Sequence, residues 1–207
     1  GRGGECGGVA GGGEQGSTDG FDCLGASWGG ECRLRDLWER WDWRPGRVGL
    51  KREASSGAYA MMVMRPLSAN AEVLFKQARQ RLAGQLPTLL SEPLAALEPE
   101  LASRLLHHAH SEMPDAAAWA DARSFALLRR DYGNCLSGLR QCLLYALADA
   151  PSLLSAEQQA LAIAKVVQLR PWPELVQGLG FAGRKDAIEA LRELFRTLCQ
   201  HYTERCH

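Results

Sequence analysis

From residue 68 onward, apolar side chains recur every three to four positions, the spacing of one face of an α-helix. After Ser68 or Asn70, either of which can cap a helix, Leu74, Phe75, Ala78 and Leu82 predict an inward face. Lys76, Gln77, Arg79 and Gln80 predict the outward one, and Gly84 with Pro87 its end. Ser91-Glu92-Pro93 predicts a short second helix. Pro99 opens a third, with Leu101, Leu105 and Ala109 at i, i+4 and i+8. Proline suits a first turn because the amide it removes has no partner there anyway. A fourth helix is predicted from Pro114-Asp115 through Trp119, Ala122, Phe125 and Ala126 to Tyr132, with Gly133 as its left-handed stop. Leu136, Leu139, Leu143, Ala146 and Leu147 share a face of a fifth, which ends at Ala150-Pro151.

The stretch 155–198 is the most strongly patterned. Ser155-Ala156-Glu157-Gln158 reads as a capping box, in which the Ser155 hydroxyl accepts from an amide while Gln158 reaches back to the cap. The helix it opens is apolar on most of its circumference through Leu169 and must be covered on several sides. Arg170-Pro171-Trp172-Pro173 breaks it. A short helix with Leu175 and Val176 follows, then the turn glycines Gly178, Gly180 and Gly183. A last helix carries Ala187, Ile188, Leu191, Leu194, Phe195 and Leu198 in one stripe. Antiparallel packing of this helix on the apolar one predicts Ile163, Val167, Ile188, Leu191 and Phe195 buried together.

No alternating β-branched run and no Asn-Gly or Asp-Gly hairpin pair is present, and the connections between helices are short. The predicted fold class is therefore all-α: a compact bundle of about six to seven short helices. Composition changes near residue 60, where 16 of the 22 glycines and four of the six tryptophans have already passed. Residues 1–60 are expected to be a disordered Gly-rich or extraneous extension, and 61–207 a single helical domain. Within the extension, Leu34, Leu37, Trp38 and Trp41 share the face of a possible docking helix.

Charge narrows the function. Lys and Arg total 24 and so do Asp and Glu, so the net balance favours neither a polyanionic partner nor an acidic membrane. No apolar run reaches the roughly 18 residues of a membrane span. Seven cysteines at irregular spacings, with no secretory leader pattern or glycosylation sequon, predict reduced thiols in an intracellular protein of cytoplasm or nucleus.

Candidate chemistry is sparse. His107, His108 and His110 cluster, yet only His107 and His110 share a helical face, so cations at a helix end explain them better than a metal. Cys199, His201, Cys206 and His207 are ligands by type but crowd one chain end, and Cys199 continues an apolar stripe. Gly178-Leu179-Gly180-Phe181-Ala182-Gly183 fits a dinucleotide fingerprint by letter but lacks the preceding strand. Leu86-Pro87-Thr88-Leu89-Leu90 matches a groove-binding motif interrupted by proline. No catalytic residue, cofactor or metal is predicted. The reading is a non-enzymatic intracellular protein–protein interaction module, a subunit or adaptor of a larger assembly. Its partners are other proteins, with no small-molecule substrate. The partner-binding residues are Trp172, Leu175, Phe181, Arg184 and Lys185, although for Trp172 a plug at the corner of the hairpin is the favoured reading. The alternative is a helix-turn-helix DNA binder over 173–198 that places Arg184, Lys185, Arg192 and Arg196 in the groove. Asp186, Glu189 and Glu193 oppose that reading by sign.

Overall fold

The computed structural model describes residues 21–29, 44–52, 54, 57–107 and 111–205. The stretch Leu34–Trp41, His108, His110, Cys206 and His207 lie outside them. The chain is not purely helical. Strands β1 (Cys23–Gly29), β2 (Arg44–Arg52) and β3 (Tyr59–Pro66) form an antiparallel sheet in the order β1-β3-β2, which corrects the all-α expectation. The boundary expected between residues 60 and 61 falls inside β3.

Tyr59, Met61 and Val63 are buried while Met62 is exposed, the period-two alternation of a half-buried strand. In β2 the glycines allow close approach. A Cβ on Gly49 would sit 3.2 Å from both Cβ and O of Ala60 across the ladder, and one on Gly46 3.1 Å from Met64 Sδ. Register shifts flank Arg47 and Val48, so β2 bends where it meets the helix that follows.

That helix, α1 (Ala69–Leu89), is capped by the Ser68 side chain and runs through Gly84 and Pro87 instead of ending there. Burial of Leu86 and Leu90 in the main core outweighs the local cost of both residues. The inward face is Ala71, Phe75 and Leu86; Leu74, expected inside, is 66% exposed.

Residues 90–98 form successive turns, not the second helix expected from Ser91-Glu92-Pro93. Their carbonyls are satisfied from elsewhere. The Tyr59 hydroxyl donates to Pro93 O at 3.2 Å, and Arg52 Nη2 to Ala96 O at 3.0 Å. Arg170 donates from Nε to Ala95 O at 3.1 Å and from Nη2 to Leu97 O at 2.8 Å, and Gln168 Nε2 to Leu97 O at 2.7 Å. Donors from both the sheet and the later helices thus fix this strap, as buried carbonyls require.

The bundle follows: α2 (Pro99–His107), α3 (Ala116–Leu128), α4 (Tyr132–Asp149), α5 (Ala156–Ala162) continuing as a π-turn (Ile163–Val167), α6 (Trp172–Leu179) and α7 (Arg184–Arg205). α3 stops at Arg129, which takes the left-handed conformation (φ 58°), and the Asp131 side chain caps α4. Gly133 therefore lies in the first turn of α4 instead of ending α3. The Ser155–Gln158 capping box forms as expected. α3 and α4 approach closely at Gly138, where a Cβ would lie 2.7 Å from Asp121 Cβ and 2.8 Å from Ala118 O.

Ile163, Val167, Leu191 and Phe195 are fully buried in one core, whereas Ile188 is only half-buried. α7 packs chiefly on α3, with Phe125 and Phe195 edge to face at 6.0 Å, and secondarily on α5. The last helix thus leans on a different neighbour from the one its sequence adjacency suggested. No helix among the described residues is long and apolar enough to cross a membrane.

Candidate nucleic-acid interface

The balanced total charge conceals a segregation. Residues 44–89 hold Arg44, Arg47, Lys51, Arg52, Arg65, Lys76, Arg79 and Arg81 against Glu53 and Glu72. Residues 90–207 hold 12 Lys and Arg against 14 Asp and Glu. The sheet and α1 fold the first set into one region. Arg47, Lys51, Arg52, Arg65, Lys76 and Arg81 are exposed there. Glu72, the acidic residue of α1, is paired with Arg44 at 3.5 Å. Arg79 stacks over Phe75 at 5.9 Å, and burial with the neighbouring Arg44 charge lowers its pKa.

A groove of about 580 Å³ runs between β2 and α1 within this region. Gly46, Arg47, Val48 and Leu50 form one wall. Leu74, Gln77, Ala78, Arg81, Leu82, Gln85 and Leu89 form the other, as a stripe at helical spacing. Among the described residues no acidic side chain lines it. The exposed Leu50 on the β2 wall and Leu74 on the α1 wall add apolar surface to the same groove. Sequence reasoning missed this site because it weighed charge over the whole chain; a window of about forty residues carries the signal.

The residues singled out from sequence around 172–185 lie elsewhere. Leu175 is buried and unavailable to a partner. Phe181 and Trp172 are partly buried against the core. Trp172 meets Tyr132 edge to face at 5.5 Å; Lys165 Nζ lies 4.6 Å from the Trp172 ring and the Arg184 guanidinium 5.8 Å from it. Lys165 Nζ donates to Arg170 O at 2.7 Å, and burial lowers its pKa, with Arg184 adding to the effect. Arg184 and Lys185 are exposed at the start of α7.

The helix-turn-helix reading fails on geometry. Arg192 is turned inward, with its guanidinium 5.1 Å from the Phe125 ring and Nη2 donating to Arg129 O at 3.3 Å. Arg196 pairs with Glu193 and donates to Ala126 O. Neither can enter a DNA groove while it holds α7 to α3. Glu189 pairs with Arg129 at 3.7 Å, not with Arg192.

His107 Nε2 lies 3.0 Å from Ser103 Oγ and 3.1 Å from Gln159 Oε1, a neutral network between α2 and α5. Burial lowers its pKa, and the hydrogen bond to Gln159 acts the other way. Among the described residues no group of three or more His, Cys, Asp or Glu could hold a metal ion. Cys199 is buried, and burial raises its thiol to about 11; burial also pushes up the adjacent Cys142 thiol.

No known protein-family model matches the chain. It is similar to curated proteins from bacteria and archaea. The tRNA(Met) cytidine acetyltransferase TmcA of Nitrosococcus halophilus is 38% identical over 189 residues, covering 89% of this chain and 25% of the relative. The proteins of the same name from Methanopyrus kandleri and Yersinia pestis are 27% and 29% identical, over 89% and 83% of this chain. They are covered over 22% and 23% of their own lengths. The chain thus spans about a quarter of the length of the relatives it matches. The similarity is to enzymes, which overturns the expectation of a non-enzymatic adaptor. Their name specifies a tRNA and an acetyl transfer, against the expectation of protein partners alone with no small-molecule substrate.

Proposed function

We propose that this chain is a segment of a tRNA-directed cytidine acetyltransferase, and that within it the segment helps to hold the RNA. The observation that carries this reading is the 38% identity to the Nitrosococcus halophilus enzyme across 89% of the chain. That coverage leaves fewer residues outside the match than the first sixty contain, which supports the β1–β3 sheet as part of the protein proper. Tilting the reading toward RNA holding is the basic face built on β2 and α1, since arrayed Lys and Arg neutralise phosphates and displace counterions. The buried surroundings of Ser103 and His107 suit a structural network better than a substrate site, and an acetyl-transfer centre belongs in this reading to the remaining length of such an enzyme. A tRNA-modifying role also fits an intracellular protein.

The test is a chimera. The matching quarter of the Nitrosococcus halophilus enzyme is replaced by this chain and expressed in cells lacking their own tRNA(Met) cytidine acetyltransferase. Acetylated cytidine in purified tRNA(Met), measured by nucleoside mass spectrometry, should return to a substantial fraction of the level given by the unaltered enzyme. A chimera that accumulates as folded protein but restores none would overturn the assignment.

A further inference from the structure

The geometry points to the β2–α1 groove as the seat of the RNA, with Arg47 and Arg81 gripping the phosphate backbone from opposite walls. This rests on the functional reading above but makes a separate claim about where on this chain the polymer lies.

Four observations converge on it. The groove is partly open to solvent, and its volume of about 580 Å³ lies within the range of about 300–1,000 Å³ typical of ligand pockets. An open trough of that size admits a chain passing through, not only an enclosed small molecule. Among the described residues its charged lining is cationic, one guanidinium from each wall, while Lys51 and Lys76 extend the positive field on β2 and α1. Guanidinium groups are suited to phosphate because their planar fork can donate two parallel hydrogen bonds.

On the α1 wall, Gln77 and Gln85 lie one turn either side of Arg81, at i−4 and i+4. Their amides both donate and accept, the complement needed for base edges or the ribose 2′-hydroxyl. Finally, Leu74 and Leu50 are 66% and 49% exposed on the groove walls, an unusual position for large apolar side chains on an otherwise charged face. They offer a dry surface on which an unstacked base can rest. A protein segment would be expected to meet an apolar groove with a polar rim. Here the charged residues lining the groove among those described are both cationic, and the polymer that matches repeated positive charge is a polyphosphate backbone.

The experiment uses the full 207-residue chain and a transcript of tRNA(Met), with binding followed by fluorescence anisotropy from 50 to 300 mM salt. The double variant Arg47→Glu/Arg81→Glu should weaken binding by at least about tenfold. It should also flatten the plot of log K against log salt by about 1.5, because each lost phosphate contact removes about 0.7–0.9 from the slope. Arg123→Glu/Lys185→Glu, the same charge change on exposed positions of the bundle, should shift both quantities far less. Gln77→Ala/Gln85→Ala should weaken binding with the salt slope unchanged. Equal losses for the groove and bundle pairs would overturn the proposal, because binding would then follow total charge. Displacement of the transcript by polyglutamate at equal charge concentration would overturn it in favour of an acidic peptide.

Circular dichroism melts confirm that each variant is folded. The two proposals fail separately. An active chimera that keeps its activity and tRNA affinity with the groove reversed refutes the groove alone. Groove-dependent binding by this chain beside an inactive chimera refutes the enzymatic assignment alone.

Discussion

The sheet with α1 and the helical bundle differ in how they use their surfaces. The bundle turns most of its large apolar residues inward: Phe125, Leu139, Leu143, Leu147, Leu194, Phe195 and Leu198 are all essentially inaccessible, while Met113, Leu127 and Leu128 stay exposed. Its charges are mixed in sign and often paired, as in Arg130–Asp121 at 3.0 Å and Arg170–Glu174 at 3.4 Å. The sheet and α1 bury a smaller set, Val48, Tyr59, Met61, Val63, Ala71, Phe75 and Leu86, and leave Val73, Leu74 and a mostly cationic array outside. One region is organised around an interior and the other around a face. Stability and binding should therefore respond to different residues.

The largest expected effect is in the bundle. Phe195→Ala removes a fully buried ring that meets Phe125 edge to face, and should cost about 3–5 kcal/mol in chemical denaturation. Met61 lies in β3 but belongs to the same core as the bundle helices. Met61→Ala should cost about 2–5 kcal/mol and shift one cooperative transition. Two separate transitions would instead mean that the regions unfold independently, and the comparison would sharpen into a division into domains.

Smaller, about 1–3 kcal/mol, is the expected cost of Gly138→Ala, whose methyl would collide with Asp121 Cβ and the Ala118 carbonyl. An unchanged melting curve would show that α3 and α4 can separate freely. Smaller again is the pH effect of His107. Its pKa in the folded state lies below the ordinary 6.5, so between those two values the unfolded chain binds more protons. Stability should fall as pH drops through that window and level off below it. His107→Gln should flatten the curve, and an equally steep fall in that variant would assign the effect elsewhere. The smallest effect is expected on the basic face. Lys51→Ala and Lys76→Ala should move the unfolding midpoint by no more than about 0.5 kcal/mol each, although both adjoin the proposed RNA groove.

Legibility from sequence followed the same division. In the bundle, local chemistry and tertiary burial agree, so the Ser155–Gln158 box, the end of the short helix α6 near Gly180 and most of the apolar stripe of α7 were readable. In the sheet they conflict. β3 alternates through Tyr59, Met61 and Val63, but methionine carries little strand preference and hides the period. β2 reads as a loop because Pro45, Gly46 and Gly49 are breakers in isolation; the glycines are there because Met64 and Ala60 come too close for a side chain. α1 passes through Gly84 and Pro87 for a similar reason, since the cores it joins outweigh its own propensity. The helix-turn-helix outline put Arg192 in a DNA groove, and only the position of Phe125 on α3 reveals it as an inward clamp. The groove was hidden by averaging: a neutral chain can hold a strongly positive fifth.

That unequal placing of charge also governs how the molecule meets another in solution. With a net charge of zero it should drift little in an electric field, yet its separated charges give it a permanent dipole and the field can still turn it. A nearby polyanion would do the same, rotating the sheet side forward before contact, so that a larger fraction of collisions arrive correctly oriented. Added salt shortens the reach of that torque to about 8 Å at physiological ionic strength. Association should then slow with salt more than the absence of net charge would suggest, while dissociation is set by the contacts themselves.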